Sequence, residues 1–378
     1  MTTPWLLAAF ALMLAACAAD DPAEPAADPP ATSTTVSTTS TTPTSTLDAA
    51  AEPSTTTTAP PSGGVDFTLA SGAERRLVEI ETPPRPALPD GAVPIPGLSI
   101  DGHEIFAIEL PGDGPPIVLM HGFPDSLHLY DQLYPRLEGR RVIAFDHVGW
   151  GRSAKPIPPT YEYSAAQQTR ELAVVMDALD LRDVTLVVHD ASGPPGIEYT
   201  AANPDRIEHL VLLNTFYGVS ANLFPPKGIE LHADARLDAA EQAIQADRAA
   251  YEAYYRFQMD EFIALADPEV EQATIDTFWA MFVEARPAFT AINDVLIDSV
   301  AARFDTAAGT LASIDVRTSV LFGDADPYLT AELAEEFAVA IPGATLELVP
   351  GAGHFVQIDA PDAVARTILE PSTGSASG

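Results

Sequence analysis

From residue 102 onward, short apolar and β-branched runs recur at Gly102–Leu110, Pro116–Met120, Arg141–Phe145, Val184–His189, Ile207–Leu213, Thr318–Phe322 and Thr345–Val349. Their lengths fit strands. Amphipathic segments at Ala165–Leu179, Gly196–Ala202 and Ala331–Ala340 fit helices between them. Strand alternating with helix predicts an α/β fold, a mostly parallel central sheet with helices on both faces. Pro116–Met120 and Val184–Val188 are apolar at nearly every position, the pattern of central strands covered on both sides. The alternation breaks once, between Leu213 and Thr318. That stretch keeps a helical, Ala-rich and acid-rich pattern, and predicts an inserted helical cap over about 217–312.

The first 65 residues follow neither period. Trp5–Leu14 is a ten-residue apolar run, long enough for the core of an export signal and too short to span a bilayer. Leu14-Ala15-Ala16-Cys17 follows it and resembles a bacterial lipobox, which implies cleavage and lipidation at Cys17. Met1–Pro4 departs from such signals in carrying no Lys or Arg. Of the residues Thr32–Thr46, thirteen of fifteen are Ser or Thr. Such a segment has nothing to bury, so residues 18–65 are expected to form a disordered linker with a reach of about 40 Å. The expected organisation is a signal peptide over 1–17, the linker, and one α/β body over 66–378. The body would be exported and lipid-anchored to the outer face of the bacterial membrane, or secreted if Cys17 is not lipidated.

Composition narrows the partners. Lys and Arg number 19 against 54 Asp and Glu, a net charge of −35, which repels phosphate backbones and excludes nucleic acid as a partner. A single cysteine excludes an internal disulfide framework. His103, His128, His147, His209 and His232 are scattered without metal-ligand spacing, and no glycine-rich phosphate loop is evident. The chain calls for no metal and no cofactor. Its expected partner is a small-molecule substrate, with membrane contact only through the N-terminal lipid.

In parallel sheets, functional residues gather where strands end. The run ending at Met120 leads into His121-Gly122-Phe123-Pro124, and the run ending at Val188 into His189-Asp190-Ala191-Ser192-Gly193-Pro194-Pro195-Gly196. Gly323-Asp324-Ala325-Asp326-Pro327 follows Phe322, and Gly351-Ala352-Gly353-His354-Phe355 follows the last run. Nucleophile candidate, acid, then histidine is the chain order of a hydrolase built on a strand-to-helix elbow. Taken together, HGFPDS at His121–Ser126, DHVGWGRSAKP at Asp146–Pro156, HDASGPPG at His189–Gly196 and GAGHFVQ at Gly351–Gln357 carry a resemblance. Residues from about 100 to 370 resemble an α/β-hydrolase of the epoxide hydrolase and haloalkane dehalogenase group.

That resemblance implies Asp190 at the nucleophile position, where esterases of the fold place serine. Ser192 is the rival, but Asp190 and Pro194 occupy the positions two residues either side of it, where small residues are needed. A carboxylate attacking an ester would form an anhydride, whereas attack on a saturated carbon displaces a halide or opens an epoxide and leaves an alkyl ester. Water would then attack that ester with His354 as base, at a pKa of roughly 6 to 7. Asp326 would orient the imidazole, with Asp324 as the alternative acid. The resemblance also places the backbone N–H groups of Phe123 and Ala191 in the oxyanion hole. His121 and His189 read as structural, and Asp146, Gly149 and Gly151 as turn residues.

The leaving group is less defined. Dehalogenases of this group cradle the halide with a Trp directly after the nucleophile and an Asn after His-Gly, positions held here by Ala191 and Phe123. Epoxide hydrolases use two separated cap tyrosines, and no Tyr occurs between 256 and 327. Tyr217, Tyr254 and Trp279 are the candidate leaving-group contacts, with helix packing the competing reading for the neighbouring Tyr251, Tyr254 and Tyr255. Epoxide and halide both stay open. Two alternatives stand beside them, an esterase-type hydrolase and a non-catalytic binding protein on the same scaffold.

Overall fold

A computed structural model describes residues 64–370, apart from 227, 230 and 232–234. The signal segment with Cys17, nearly all of the expected linker, and His232 therefore lie outside the described residues. Eight strands form the main sheet, and we number them in chain order. They are β1 (Val93–Ile95), β2 (Ala107–Leu110), β3 (Asp113–Met120), β4 (Arg140–Phe145), β5 (Val184–Asp190), β6 (Ile207–Thr215), β7 (Arg317–Gly323) and β8 (Thr345–Val349). Their spatial order is β8-β7-β6-β5-β3-β4-β2-β1. From β4 through β8 every neighbour is parallel, while β2 pairs antiparallel with β4 and with β1.

The most apolar runs take the central positions. Ile117, Val118, Leu119 and Met120 of β3 and Leu186, Val187 and Val188 of β5 are fully buried, as a strand with both faces covered requires. Helix Ala165–Ala178 starts where the Ser164 side chain accepts the Gln167 N–H at 3.2 Å. Helix Gly193–Ala202 follows β5 directly, and its two early prolines fall in the first turn, where a missing N–H costs little.

Between β6 and β7 the chain forms helices at Asp238–Ala246, Arg248–Asp260, Pro268–Phe282, Arg286–Ala301 and Ala307–Ala312. An aromatic cluster holds this cap together, with Tyr255 stacked on Phe282 at 4.5 Å and tilted against Trp279 at 5.3 Å. The cap reaches the sheet through further rings: Phe289 meets Phe123 at 6.2 Å, and Phe262 meets His354 at 4.9 Å.

The N-terminal strands differ from expectation: the run Gly102–Leu110 divides into His103–Glu104, which pairs with Ser99–Ile100, and β2, while β1 adds an edge strand at Val93–Ile95. Gly64–Thr68 and Glu74–Val78 form an antiparallel hairpin, so the first strand begins inside the boundary expected for the linker. The hairpin fastens to the cap. Arg75 pairs with Glu241 at 3.3 Å with both side chains buried, and the Ser71 N–H donates to Asp294 Oδ2 at 2.9 Å. Arg286 Nη2 donates to the Val78 carbonyl at 2.8 Å.

Candidate active site

Asp190 closes β5 with φ +48°, a left-handed conformation that few non-glycine residues adopt. The bend lifts its side chain out of the sheet just before helix Gly193–Ala202. Thr215 Oγ1 donates to the Asp190 carbonyl at 2.5 Å and steadies the turn from β6. Glycine is required opposite, because a Cβ on Gly122 would fall 2.6 Å from Asp190 Oδ2.

Three loops converge there. His354 Nδ1 lies 2.8 Å from Asp326 Oδ2, and its Nε2 lies 4.0 Å from Asp190 Oδ1. The first distance is a hydrogen bond and the second is not, so the imidazole is held by Asp326 and leaves Asp190 Oδ1 free. Asp326 Oδ1 accepts the N–H groups of Tyr328 and Leu329 at 2.9 and 3.1 Å. Asp324 turns elsewhere and accepts the Gly351 N–H at 2.6 Å. Burial opposes charge on His354, but the carboxylates of Asp326 and then Asp190 outweigh it and hold the imidazole up at about 8. That is above the range of an unperturbed histidine, and it moves the value expected from sequence upward.

The Phe123 N–H donates to Asp190 Oδ2 at 3.2 Å, and the Ala191 N–H also supports the carboxylate. Burial nevertheless pushes the Asp190 carboxyl above its usual range. Ser192 is fully buried and committed to the backbone. Its Oγ accepts the His189 N–H at 2.8 Å and lies within donating distance of the Met120 and His189 carbonyls at 3.0 and 2.8 Å.

The neighbouring histidines are structural. His121 Nε2 accepts the His147 N–H at 3.1 Å while Nδ1 donates to the Gly122 carbonyl at 2.6 Å. His189 Nε2 donates to the His354 carbonyl at 3.0 Å. Burial drives both well below the ordinary histidine range, so both rings are neutral. Asp146 is a turn residue, its carboxylate taking the Leu127 and Arg152 N–H groups at 2.7 Å each.

Two residues without an assigned role in the sequence enter here. Asn214 ends β6 and donates Nδ2 to Asp326 Oδ2 at 2.9 Å, while its Oδ1 accepts the Gly323 N–H at 2.9 Å. Asp125 of the HGFPDS segment is 2% exposed, and neither carboxylate oxygen has a hydrogen-bond partner among the described residues. Burial and then the charge of Asp190 hold its carboxyl well above the usual range.

The cap candidates separate. Tyr217 has its ring under the Arg303 guanidinium at 5.6 Å, with Glu198, Thr310 and Arg303 as its polar neighbours. Tyr254 has Tyr328, Glu261 and Glu241 as its electrostatic neighbours. Trp279 packs on Tyr251, Tyr255 and Phe282. Tyr255 is the cap phenol that feels Asp125, and its buried hydroxyl has no partner among the described residues. A narrow cleft is lined by Phe123, Ala191 and Phe216 and by Ile292, Val295 and Leu296 of the cap, with Gln168 and Ser299 among its polar edges.

An elbow, a carboxylate–imidazole pair and converging loops on this sheet define an α/β hydrolase. Residues 115–361 match the alpha/beta hydrolase fold family, and the chain belongs to it. It is 40% identical to a haloalkane dehalogenase of Agrobacterium fabrum over 132 residues, 34% of this chain and 40% of that relative's length. It is also 26% identical to Lipase 3 of a Moraxella species over 249 residues, 65% of this chain and 74% of the lipase. Among solved structures, a haloalkane dehalogenase of Agrobacterium tumefaciens superposes with a TM-score of 0.58 at 26% identity, covering 74% of this chain and 95% of that one.

Proposed function

We propose that this hydrolase attacks a saturated carbon of a small apolar epoxide or alkyl halide with Asp190, and then hydrolyses the alkyl-enzyme ester. The observation that carries the reading is the elbow itself, where Asp190 is raised at φ +48° and Ser192 is buried with its hydroxyl spent on three backbone contacts. The two carboxylate oxygens divide the work. Oδ1, 4.0 Å from His354 Nε2, attacks, while Oδ2 sits on the Phe123 N–H and becomes the ester carbonyl oxygen. Water activated by His354 Nε2 attacks the ester carbon, and the negative charge grows on Oδ2 where the N–H donors wait. Asp326 stabilises the imidazolium. The likeness to haloalkane dehalogenases supports carbon–halogen chemistry and leaves room for other electrophiles.

The test is intact-mass spectrometry of full-length His354→Gln after exposure to styrene oxide and, separately, to 1-bromohexane. Losing the base stalls the second step, so an alkyl adduct on Asp190 is expected. An unmodified Asp190 with both reagents would sink the proposal.

The likeness to a lipase favours one second reading, an esterase acting through Ser192. Ester turnover abolished by Ser192→Ala and kept by Asp190→Asn would establish it. For the N-terminus we propose export, with a lipid on Cys17 holding the enzyme at the outer membrane face. The supporting observation is the apolar run ending in Leu14-Ala15-Ala16-Cys17.

A further inference from the structure

Asp125 sits two residues after Phe123, whose N–H holds Asp190 Oδ2. Two polar neighbours of Asp125 on its own loop and the following turn are occupied. Ser126 caps the turn Leu127–Tyr130 by accepting the His128 N–H at 3.4 Å, and the Tyr130 hydroxyl donates to the Met120 carbonyl at 2.6 Å. Asp125 alone keeps both oxygens unpartnered among the described residues while 2% exposed. A charged carboxylate in that state would be costly, by several kcal/mol, whereas a protonated carboxyl carries one O–H that it can give away. Asp190 and His354 are its electrostatic neighbours at the site, and Tyr255, whose buried hydroxyl is also without a partner among the described residues, is its neighbour in the cap.

We propose that Asp125 is the acid that protonates the leaving oxygen when Asp190 opens an epoxide, which makes epoxides the substrate class of this site. The proposal rests on Asp190 being the nucleophile. Asp190 Oδ1 forms a bond to an epoxide carbon, the C–O bond of the ring breaks, and its electron pair goes to the ring oxygen. That oxygen takes the proton of Asp125, giving a hydroxyalkyl ester and an Asp125 carboxylate. Water then attacks the ester carbon and gives a proton to His354. Collapse expels the alkoxide, which takes the proton back from His354 and leaves as the diol. The remaining proton, on Asp190, returns to Asp125 and restores both groups. A halide needs no proton to leave. The two residues whose N–H groups hold the Asp190 carboxylate also supply no side-chain donor, since Ala191 ends in a methyl and Phe123 in a hydrocarbon ring.

Asp125→Asn separates proton transfer from hydrogen bonding, because a carboxamide can donate N–H without giving up a proton. The rate of adduct formation is followed by intact mass in full-length His354→Gln, with and without Asp125→Asn, using styrene oxide and 1-bromohexane. The expected result is slowing of about 100-fold or more with the epoxide, within the range of general acid catalysis, and of less than about tenfold with the bromoalkane. Equal slowing with both, or none with the epoxide, overturns the proposal. So does a His354→Gln parent alkylated by the bromoalkane alone, which leaves the Asp190 reading intact. If neither reagent alkylates Asp190 in that parent, the nucleophile reading itself has failed. A second measurement needs no variant at Asp125. In His354→Gln, epoxide alkylation should fall at high pH as the acid loses its proton while bromoalkane alkylation does not, and parallel profiles count against the acid.

Discussion

On the proposed mechanism His354 sets the pH response. Its imidazole must be neutral to accept a proton from water, and in the folded protein it stays charged up to about pH 8. Turnover should therefore be lost as pH falls through about 8, more than a unit above an unperturbed histidine. A kcat profile flat from pH 9 to 6 would contradict the role of base. Asp326 is the largest favourable influence on that charge. Asp326→Asn should shift the midpoint downward and reduce turnover by about 10³- to 10⁴-fold, which the same profile reads. Asn214 acts one step behind, joining Asp326 to the Gly323 backbone. Asn214→Ala should lower stability by about 1–3 kcal/mol in chemical unfolding, because a buried acceptor and a buried N–H each lose a partner. These residues differ in how far the sequence reveals them. His354 and Asp326 stand in motifs at strand ends, where order and spacing carry meaning. Asn214 is a single polar residue at the end of an apolar run, and only the fold brings it to Asp326. Asp125 lies inside a motif that gives it no role, and only its burial without a hydrogen-bond partner among the described residues marks it out.

Elements were legible wherever their pattern was long. Helix Ala165–Ala178 and the runs at β3 and β5 carry strong periodic or continuous apolar signals, and they occupy the positions those signals predict. The hairpin Gly64–Val78 does not announce itself, because its second strand alternates around charged Glu74, Arg75 and Arg76. Its partner is more than 160 residues downstream, at Glu241. The tyrosine that faces Asp125 was a related difficulty. Tyr254 and Tyr255 are adjacent on helix Arg248–Asp260, about 100° apart, and which one faces inward depends on how the cap packs. Removing one member of a buried ion pair leaves the other charge inside. Arg75→Ala is thus expected to destabilise the fold by about 3 kcal/mol, visible as a lower melting temperature, whereas Arg76→Ala at an exposed pair should change little.

At the scale of the whole molecule, charge and address act together. A net charge of −35 offers no attraction to an anionic bilayer, so the proposed membrane association would have to come from another source. With the lipid on Cys17 as that source, Cys17→Ser should move the protein from the membrane fraction to the soluble one without altering turnover. Retention of Cys17→Ser in the membrane would refute the anchor. The hairpin that precedes β1 adds a mechanical meaning to this arrangement. It grips Glu241, Asp294 and Arg286 of the cap before the backbone runs on from Val78 into the edge strand β1. Under the proposed anchoring at Cys17, the mooring line would therefore be fastened to the roof of the active site as well as to the edge of the sheet, and a pull on the tether would be felt by both.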